Sequence, residues 1–316
     1  MELSQSSILE IKDLTADDIE LILDTADSMK EILTRRIKKV PPLRGKLVVN
    51  LFFEPSTRTK SSFSLAVKRM SGDGMTITRD SSSLVKGESL VDTAKTLKAL
   101  GADAVVIRHS AAGAPRLLAE AIDVPVLNAG DGRHEHPTQA LLDLLTIREN
   151  RGKIEDLDIA ITGDIKHSRV ARSNLWGMNK LGANVRLIGP PTLIPEEAGR
   201  LNADIYHDLE EGISGADVVY LLRIQQERQD KPLFPSLREY RELYGLRQKH
   251  LPLLADEAII MHPGPINRDV EISPELAYSD RALIEKQVSL GVAIRMALLY
   301  LLIGGGEIEY EQDIAQ

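Results

Sequence analysis

Three hydroxyls and a guanidinium stand together at Ser56-Thr57-Arg58-Thr59, between an apolar run and a helical pattern. Backbone N–H groups at a helix start point outward, where an anion gains hydrogen bonds and a favourable dipole. Arg58 would add bidentate charge suited to phosphate. The same residue types also serve as ordinary helix caps, and on this stretch alone both readings stand.

Four further polar clusters follow apolar runs. Arg108 and His109 close "DAVVIRH", as a ligand-binding cation or as a surface arginine at a strand exit. In "VPVLNAGDGRHEHPTQ", Asn128 to Gly132 reads as a glycine-rich turn, and Pro137 suits the first turn of a helix. That puts His136 near the N-cap and Gln139 one turn further on. The positive dipole end disfavours imidazolium, so His136 is expected to be neutral and able to donate a hydrogen bond. A metal held by His134 and His136 is the alternative, although no further His, Asp or Glu pair at metal spacing joins them. "GDIKHSRVARS" opens like a dinucleotide-binding βαβ unit but lacks G-x-G-x-x-G, which counts against a dehydrogenase. Its Lys166, Arg169 and Arg172 make either a basic turn or a solvated helix face. Arg223, Gln225 and Arg228 follow "VVYLL", and Pro263-Gly264-Pro265 forms a rigid turn whose carbonyls are fixed acceptors.

Positioning these clusters requires short strands alternating with helices. Candidate strands are Leu47–Phe53, Met75–Thr78, Ala104–Ile107 and Val124–Leu127, then Asp158–Thr162, Asn184–Ile188, Asp217–Leu222 and Ala258–Met261. Leu47–Phe53 is apolar enough to be buried on both faces. After it, Phe63, Ala66, Val67 and Met70 keep the i, i+3, i+4, i+7 spacing of a helix. Thr15 reads as the N-cap of a first amphipathic helix, with Asp17 and Asp18 in its first turn. This rhythm predicts an α/β fold of two doubly wound domains with mainly parallel sheets. Residues 1–150 form the first and 151–283 the second; the apolar helix from Ile284 to Ile303, within 284–316, returns to pack on the first. The ligand cleft is expected between the domains, at the carboxyl ends of the strands.

Bulk properties narrow the classes. A net charge of −8 argues against general nucleic-acid binding, which depends on many phosphate-neutralising cations. With no cysteine, disulfides, thiol nucleophiles and zinc–thiolate sites are excluded, in keeping with a cytoplasmic protein. The N-terminus has no basic segment followed by an apolar one, so no secretory signal is expected. No run of about 18 uncharged apolar residues is present, so no membrane span is expected either.

In order and spacing, "FFEPSTRT", "LVKGESLVDT", "VIRHSAAGA", "HPTQALLDL", "GDIKHSRVARS", "LLRIQQER" and "MHPGPINRDVEI" together resemble the catalytic chains of the aspartate carbamoyltransferase family. The likeness runs over nearly the whole sequence. It implies transfer of a carbamoyl group from carbamoyl phosphate to L-aspartate in de novo pyrimidine biosynthesis, with no cofactor and no metal. By that resemblance Ser56, Thr57, Arg58 and Thr59 hold the phosphate, and Arg108 reaches both phosphate and carbonyl oxygen. His136 and Thr59 donate to that carbonyl, while Gln139 and the backbone carbonyls of Gly264 and Pro265 orient the carbamoyl NH2. Arg169 and Arg223 take the two carboxylates of aspartate, with Gln225 assisting. Lys86, with Ser82 or Ser83 beside it, is donated to a neighbouring subunit's site, which implies a homotrimer with shared sites. Regulatory chains or a dihydroorotase as partners are left open. The rival readings are a carbamoyltransferase acting on another amine such as ornithine, and a non-catalytic phosphate-ligand binding protein.

Overall fold

The computed structural model describes residues 2–79, 88–196, 198, 201–224 and 234–304. After a 3-10 turn at Ile11–Asp13, helix α1 covers Ala16–Thr34. Thr15 accepts from the Asp18 backbone N–H while the Asp18 carboxylate takes the Thr15 N–H, closing a capping box worth about 1 kcal/mol. The first unit continues with β1 (Leu47–Phe52), α2 (Thr57–Arg69), β2 (Asp73–Thr78), α3 (Leu90–Ala99), β3 (Ala104–His109), α4 (Ala114–Ala121), β4 (Val126–Asp131) and α5 (Pro137–Arg151). The second holds β5 (Asp158–Thr162), α6 (Arg169–Lys180), β6 (Asn184–Ile188), β7 (Asp204–Tyr206), α7 (Leu209–Ile213), β8 (Val218–Leu221), α8 (Leu237–Tyr244), β9 (Ile259–Met261) and α9 (Pro274–Ala277). Helix α10 (Ile284–Leu299) runs into a π turn, Tyr300–Gly304.

Both sheets are parallel, in the orders β2-β1-β3-β4 and β7-β6-β5-β8-β9. Each order reverses direction within the sheet, between β1 and β3 in the first and between β5 and β8 in the second, and such switch points are where α/β sheets open a crevice. Strand β1 is buried on both faces because its side chains feed two apolar layers: Val48 and Phe52 enter one, Val49 and Leu51 the other. The first of these layers is continuous with Ile159 and Ile161 of β5, so the two units share one core.

Helix α10 packs on α1, α2 and α5, burying Leu290, Ala293, Ile294 and Ala297. Among the described residues, Ile284–Gly304 is the one helix long and apolar enough to cross a membrane, although the sequence reading finds no such span. The difference lies in Arg295, a charge inside the apolar stretch; 56% of its most apolar 18 residues are buried, and the helix serves as a core element.

Two local expectations are corrected. Residues 128–131 are not a turn: β4 runs through them, with a register irregularity opposite Ile107 and His109 of β3. The Asn128 carboxamide accepts from the Gly130 N–H and donates to Asp131, so turn-type side chains stabilise a bulged strand end. Edge strand β7 is also absent from the sequence reading, being three largely exposed residues with no apolar run.

Candidate active site

Six strand ends or the loops just beyond them converge on one cavity of about 1010 Å³. Ser56, Thr57, Arg58, Thr59, Arg108, His136, Gln139, Arg169, Arg223, Gly264 and Pro265 all line it. Lys86 and Gln225 lie outside the described residues, as do Ser82, Ser83 and Arg228.

The loop after β1 delivers the first cluster. Ser56 is the N-cap residue of α2, yet its hydroxyl makes no capping bond. Capping therefore does not account for the hydroxyl, and Ser56, Thr57 and Thr59 line the cavity at the positive end of the helix. Arg58 stands against the 263–265 turn: a Cβ on Gly264, whose φ is +60°, would come within 3.1 Å of the Arg58 guanidinium carbon. Desolvation in the cleft, and then the charge of Arg223, hold the Arg58 guanidinium below its ordinary proton affinity. The two guanidinium groups thus make this end of the cavity electropositive.

Arg108 leaves the end of β3, donates to the Ala129 carbonyl at 3.0 Å and meets Glu54 at 3.3 Å. His109, next in sequence, turns away: it packs edge-on against Phe53 and accepts from the Ala111 N–H. His136 caps α5, with Pro137 in the first turn, and its backbone N–H donates to Ser173 Oγ at 2.8 Å. His134 instead faces Asp131 at 3.1 Å and Glu10 at 3.7 Å, so the two histidines do not share a centre. Among the described residues no group of three His, Asp or Glu side chains is placed to hold a metal ion.

The second unit supplies Arg169 from the first turn of α6, only 4% exposed. It donates to the Gly132 carbonyl and pairs with Glu54 at 2.9 Å, across the boundary between the units. Lys166 and Arg172 are exposed and do not line the cavity. Arg223 follows β8, and the His262-to-Pro265 turn follows β9.

Several lining residues lie beyond the sequence reading: Glu54, Ser62, His262, Gln287 and Arg295. Arg295 donates to Ser62 Oγ at 2.7 Å and the Gly291 carbonyl at 3.0 Å, and stacks over Phe63. Burial lowers its pKa to about 10, which leaves it a cation at neutral pH. One signal for it was legible, a lone arginine in an otherwise apolar helix. His262 accepts the Gly264 N–H on Nδ1. Burial, and then the charges of Arg58 and Arg223, push it down to about 3, so the ring is neutral and carries its proton on Nε2.

An anion cradle on one sheet, facing arginines from a second across a shared cleft, defines a two-domain α/β protein built to hold polyanionic ligands. The family profile described as aspartate/ornithine carbamoyltransferase, carbamoyl-P binding domain, matches residues 6–149, and its Asp/Orn binding domain matches residues 155–302. The chain belongs to the aspartate/ornithine carbamoyltransferase family. It is 59% identical over 315 residues to the aspartate carbamoyltransferase catalytic subunit of Halothermothrix orenii, covering 100% of both chains. Against the protein of the same name from Moorella thermoacetica it is 60% identical over 305 residues, covering 96% of this chain and 99% of the relative. Among solved structures, aspartate transcarbamoylase from Trypanosoma cruzi in complex with carbamoyl phosphate and aspartate superposes with a TM-score of 0.85 at 30% identity, covering 94% and 96% of the two chains. Ornithine carbamoyltransferase from Pyrococcus furiosus gives 0.84 at 28% identity, covering 95% and 98%. Backbone shape therefore does not separate the two branches.

Proposed function

We infer that this chain transfers the carbamoyl group of carbamoyl phosphate to the amine of L-aspartate, giving N-carbamoyl-L-aspartate and phosphate. The observation that carries the choice of acceptor is the presence of both Arg169 and Arg223 on the cavity wall. Two guanidinium groups suit a dicarboxylate and repel the side-chain cation of ornithine.

In this reading Ser56, Thr57, Arg58 and Thr59 bind the phosphate with the first N–H groups of α2, and Arg108 spans phosphate and carbonyl oxygen. The neutral amine attacks the carbamoyl carbon and negative charge grows on the carbonyl oxygen. Thr59, Arg108 and His136 donate to it, one such donor being typically worth about 3 kcal/mol. The carbon–oxygen bond to phosphate then breaks, its electron pair leaving with phosphate, which also takes up the proton released by the amine. Arg58 and Arg108 meet that charge. His136 acts as a donor rather than a base. Holding two substrates in one cleft supplies much of the remaining rate enhancement. The same reading makes the chain a cytoplasmic homotrimer in which Lys86 completes a neighbouring site, with Gln225 beside the aspartate carboxylates.

The test is an acceptor panel with the purified chain. Carbamoyl-aspartate from aspartate, with no citrulline from ornithine, is the expected result; citrulline, or no turnover of carbamoyl phosphate, refutes the reading. Light scattering on the same sample tests the trimer.

A further inference from the structure

Behind the cavity wall lies a carboxylate that the mechanism above does not use. Asp143 sits on α5 one turn beyond Gln139 and is 0% exposed. Each of its oxygens accepts two hydrogen bonds. Oδ1 takes the Gln139 amide at 3.0 Å and the Gln287 amide at 2.8 Å. Oδ2 takes Asn174 at 3.0 Å and the Tyr220 hydroxyl at 2.7 Å. These four donors come from α5, α10, α6 and β8. Burial raises the Asp143 carboxyl to about 6, with the donors opposing the shift, so it is mainly ionised at neutral pH.

An ionised carboxylate only accepts. The Gln139 side chain must therefore turn its NH2 to Asp143, and its carbonyl oxygen is the atom left for the cavity. A second path leaves the same Oδ1. Gln287, which gives its NH2 to Asp143, accepts the His262 backbone N–H on its own carbonyl at 3.1 Å. His262 Nδ1 in turn accepts the Gly264 N–H at 2.8 Å. One carboxylate oxygen is thus linked to Gln139 directly and to the 263–265 turn through two further bonds.

We propose that Asp143 is a positioning residue that sets donor-substrate specificity: it turns three acceptors, the Gln139 side-chain carbonyl and the Gly264 and Pro265 main-chain carbonyls, toward the NH2 of the carbamoyl group. This rests on the carbamoyl-transfer reading and adds to it the origin of selectivity for an amide-bearing acyl phosphate. Among the described residues Asp143 makes no direct ion pair, although it feels the charge of buried Arg295, and a buried carboxylate held this way is a poor stabilising device compared with apolar packing. Here its four-acceptor capacity does what an apolar side chain cannot, which is to dictate how three carboxamides face, those of Gln139, Gln287 and Asn174. An acyl phosphate with a methyl group in place of NH2 leaves all three acceptors unpaired and is penalised accordingly.

The test compares the half-saturation concentration of carbamoyl phosphate with the competitive inhibition constant of acetyl phosphate, using the purified full chain at pH 7.5. In the unsubstituted chain acetyl phosphate should bind at least about tenfold more weakly, the value of roughly one satisfied hydrogen bond. In Asp143→Asn, whose NH2 confronts other donors, that ratio should collapse toward one. Gln287→Met, which cuts the path to the turn and keeps the volume, should lower it several-fold. Asn174→Ala removes a donor from the far oxygen; it should lower thermal stability and leave the ratio within about twofold. An unchanged ratio in Asp143→Asn overturns the proposal, as does an equal fall in Asn174→Ala. Where Asp143→Asn does not fold, an unchanged ratio in Gln287→Met overturns it instead. A ratio near one in the unsubstituted chain overturns the carbamoyl reading itself.

Discussion

Glu54, just beyond β1, pairs with Arg169 of α6 at 2.9 Å, joining the two units across the cleft. The same oxygen lies 3.3 Å from Arg108, so one carboxylate organises two arginines that the mechanism assigns to different substrates. Arg169 is almost fully buried and needs this neighbour, because a buried charge stripped of its partner is strongly destabilised. Replacing Glu54 with glutamine should raise the half-saturation concentration of aspartate about tenfold, with a smaller effect on carbamoyl phosphate. Steady-state kinetics with each substrate varied in turn would reveal this; equal effects on both substrates would mean that Glu54 does not discriminate between the ends of the site.

Arg58 tests the anion cradle. Its guanidinium makes none of the ion pairs among the described residues, so removing it leaves no carboxylate stranded. Arg58→Ala should lower kcat by roughly 100- to 1000-fold, the range for losing one donor to developing charge, with an unchanged melting temperature. Near-normal turnover would show that phosphate binds elsewhere.

Gly130 lies at the bulge of β4 with φ +113°, a conformation L side chains rarely adopt. A Cβ there would stand 2.9 Å from the Arg169 guanidinium carbon and 3.1 Å from Arg108 NH1. Gly130→Ala should therefore displace both arginines, cutting activity more than tenfold and destabilising the fold by about 1–3 kcal/mol. Activity and thermal melting measured together check both effects.

Much of this was legible in the sequence, and what escaped has a common cause. Thr15, His136 and Pro137 announced their helix starts because capping is a local preference. Seven of the expected strands stand close to their anticipated places; most are buried parallel strands that read as apolar runs, whereas β2 is largely exposed. Residues 128–131 misled, since Asn, Gly and Asp favour turns and bulged strand ends alike. The cradle hydroxyls and arginines were visible as clusters. The pairing of Glu54 with Arg169, and the arrival of Gln287 and Arg295 at the site, were not, because these contacts join residues up to 233 positions apart and local patterning says nothing of such pairs.

Asp18 offers a test of stability rather than activity. Burial pushes its carboxyl up, but donations from Ser4 and Thr15 prevail and bring it well below the ordinary carboxylate range, to about 2. A carboxyl lowered on folding contributes stability above its unfolded pKa and loses it as pH falls through the folded one. Asp18→Asn should therefore lower the unfolding free energy by roughly 2 kcal/mol at pH 7 and by much less near pH 2. Urea unfolding at both pH values measures the difference, and a cost that is equal at both would contradict it.

The most direct measurement is a crystal structure of the chain with N-(phosphonacetyl)-L-aspartate, which carries the phosphonate and both carboxylates of the two joined substrates. The phosphonate should sit within hydrogen-bond distance of Ser56, Thr57, Arg58 and Thr59, and the carboxylates on Arg169 and Arg223. A phosphonate elsewhere on the cavity wall, against Ile272, Tyr278 and Val288, would contradict the account.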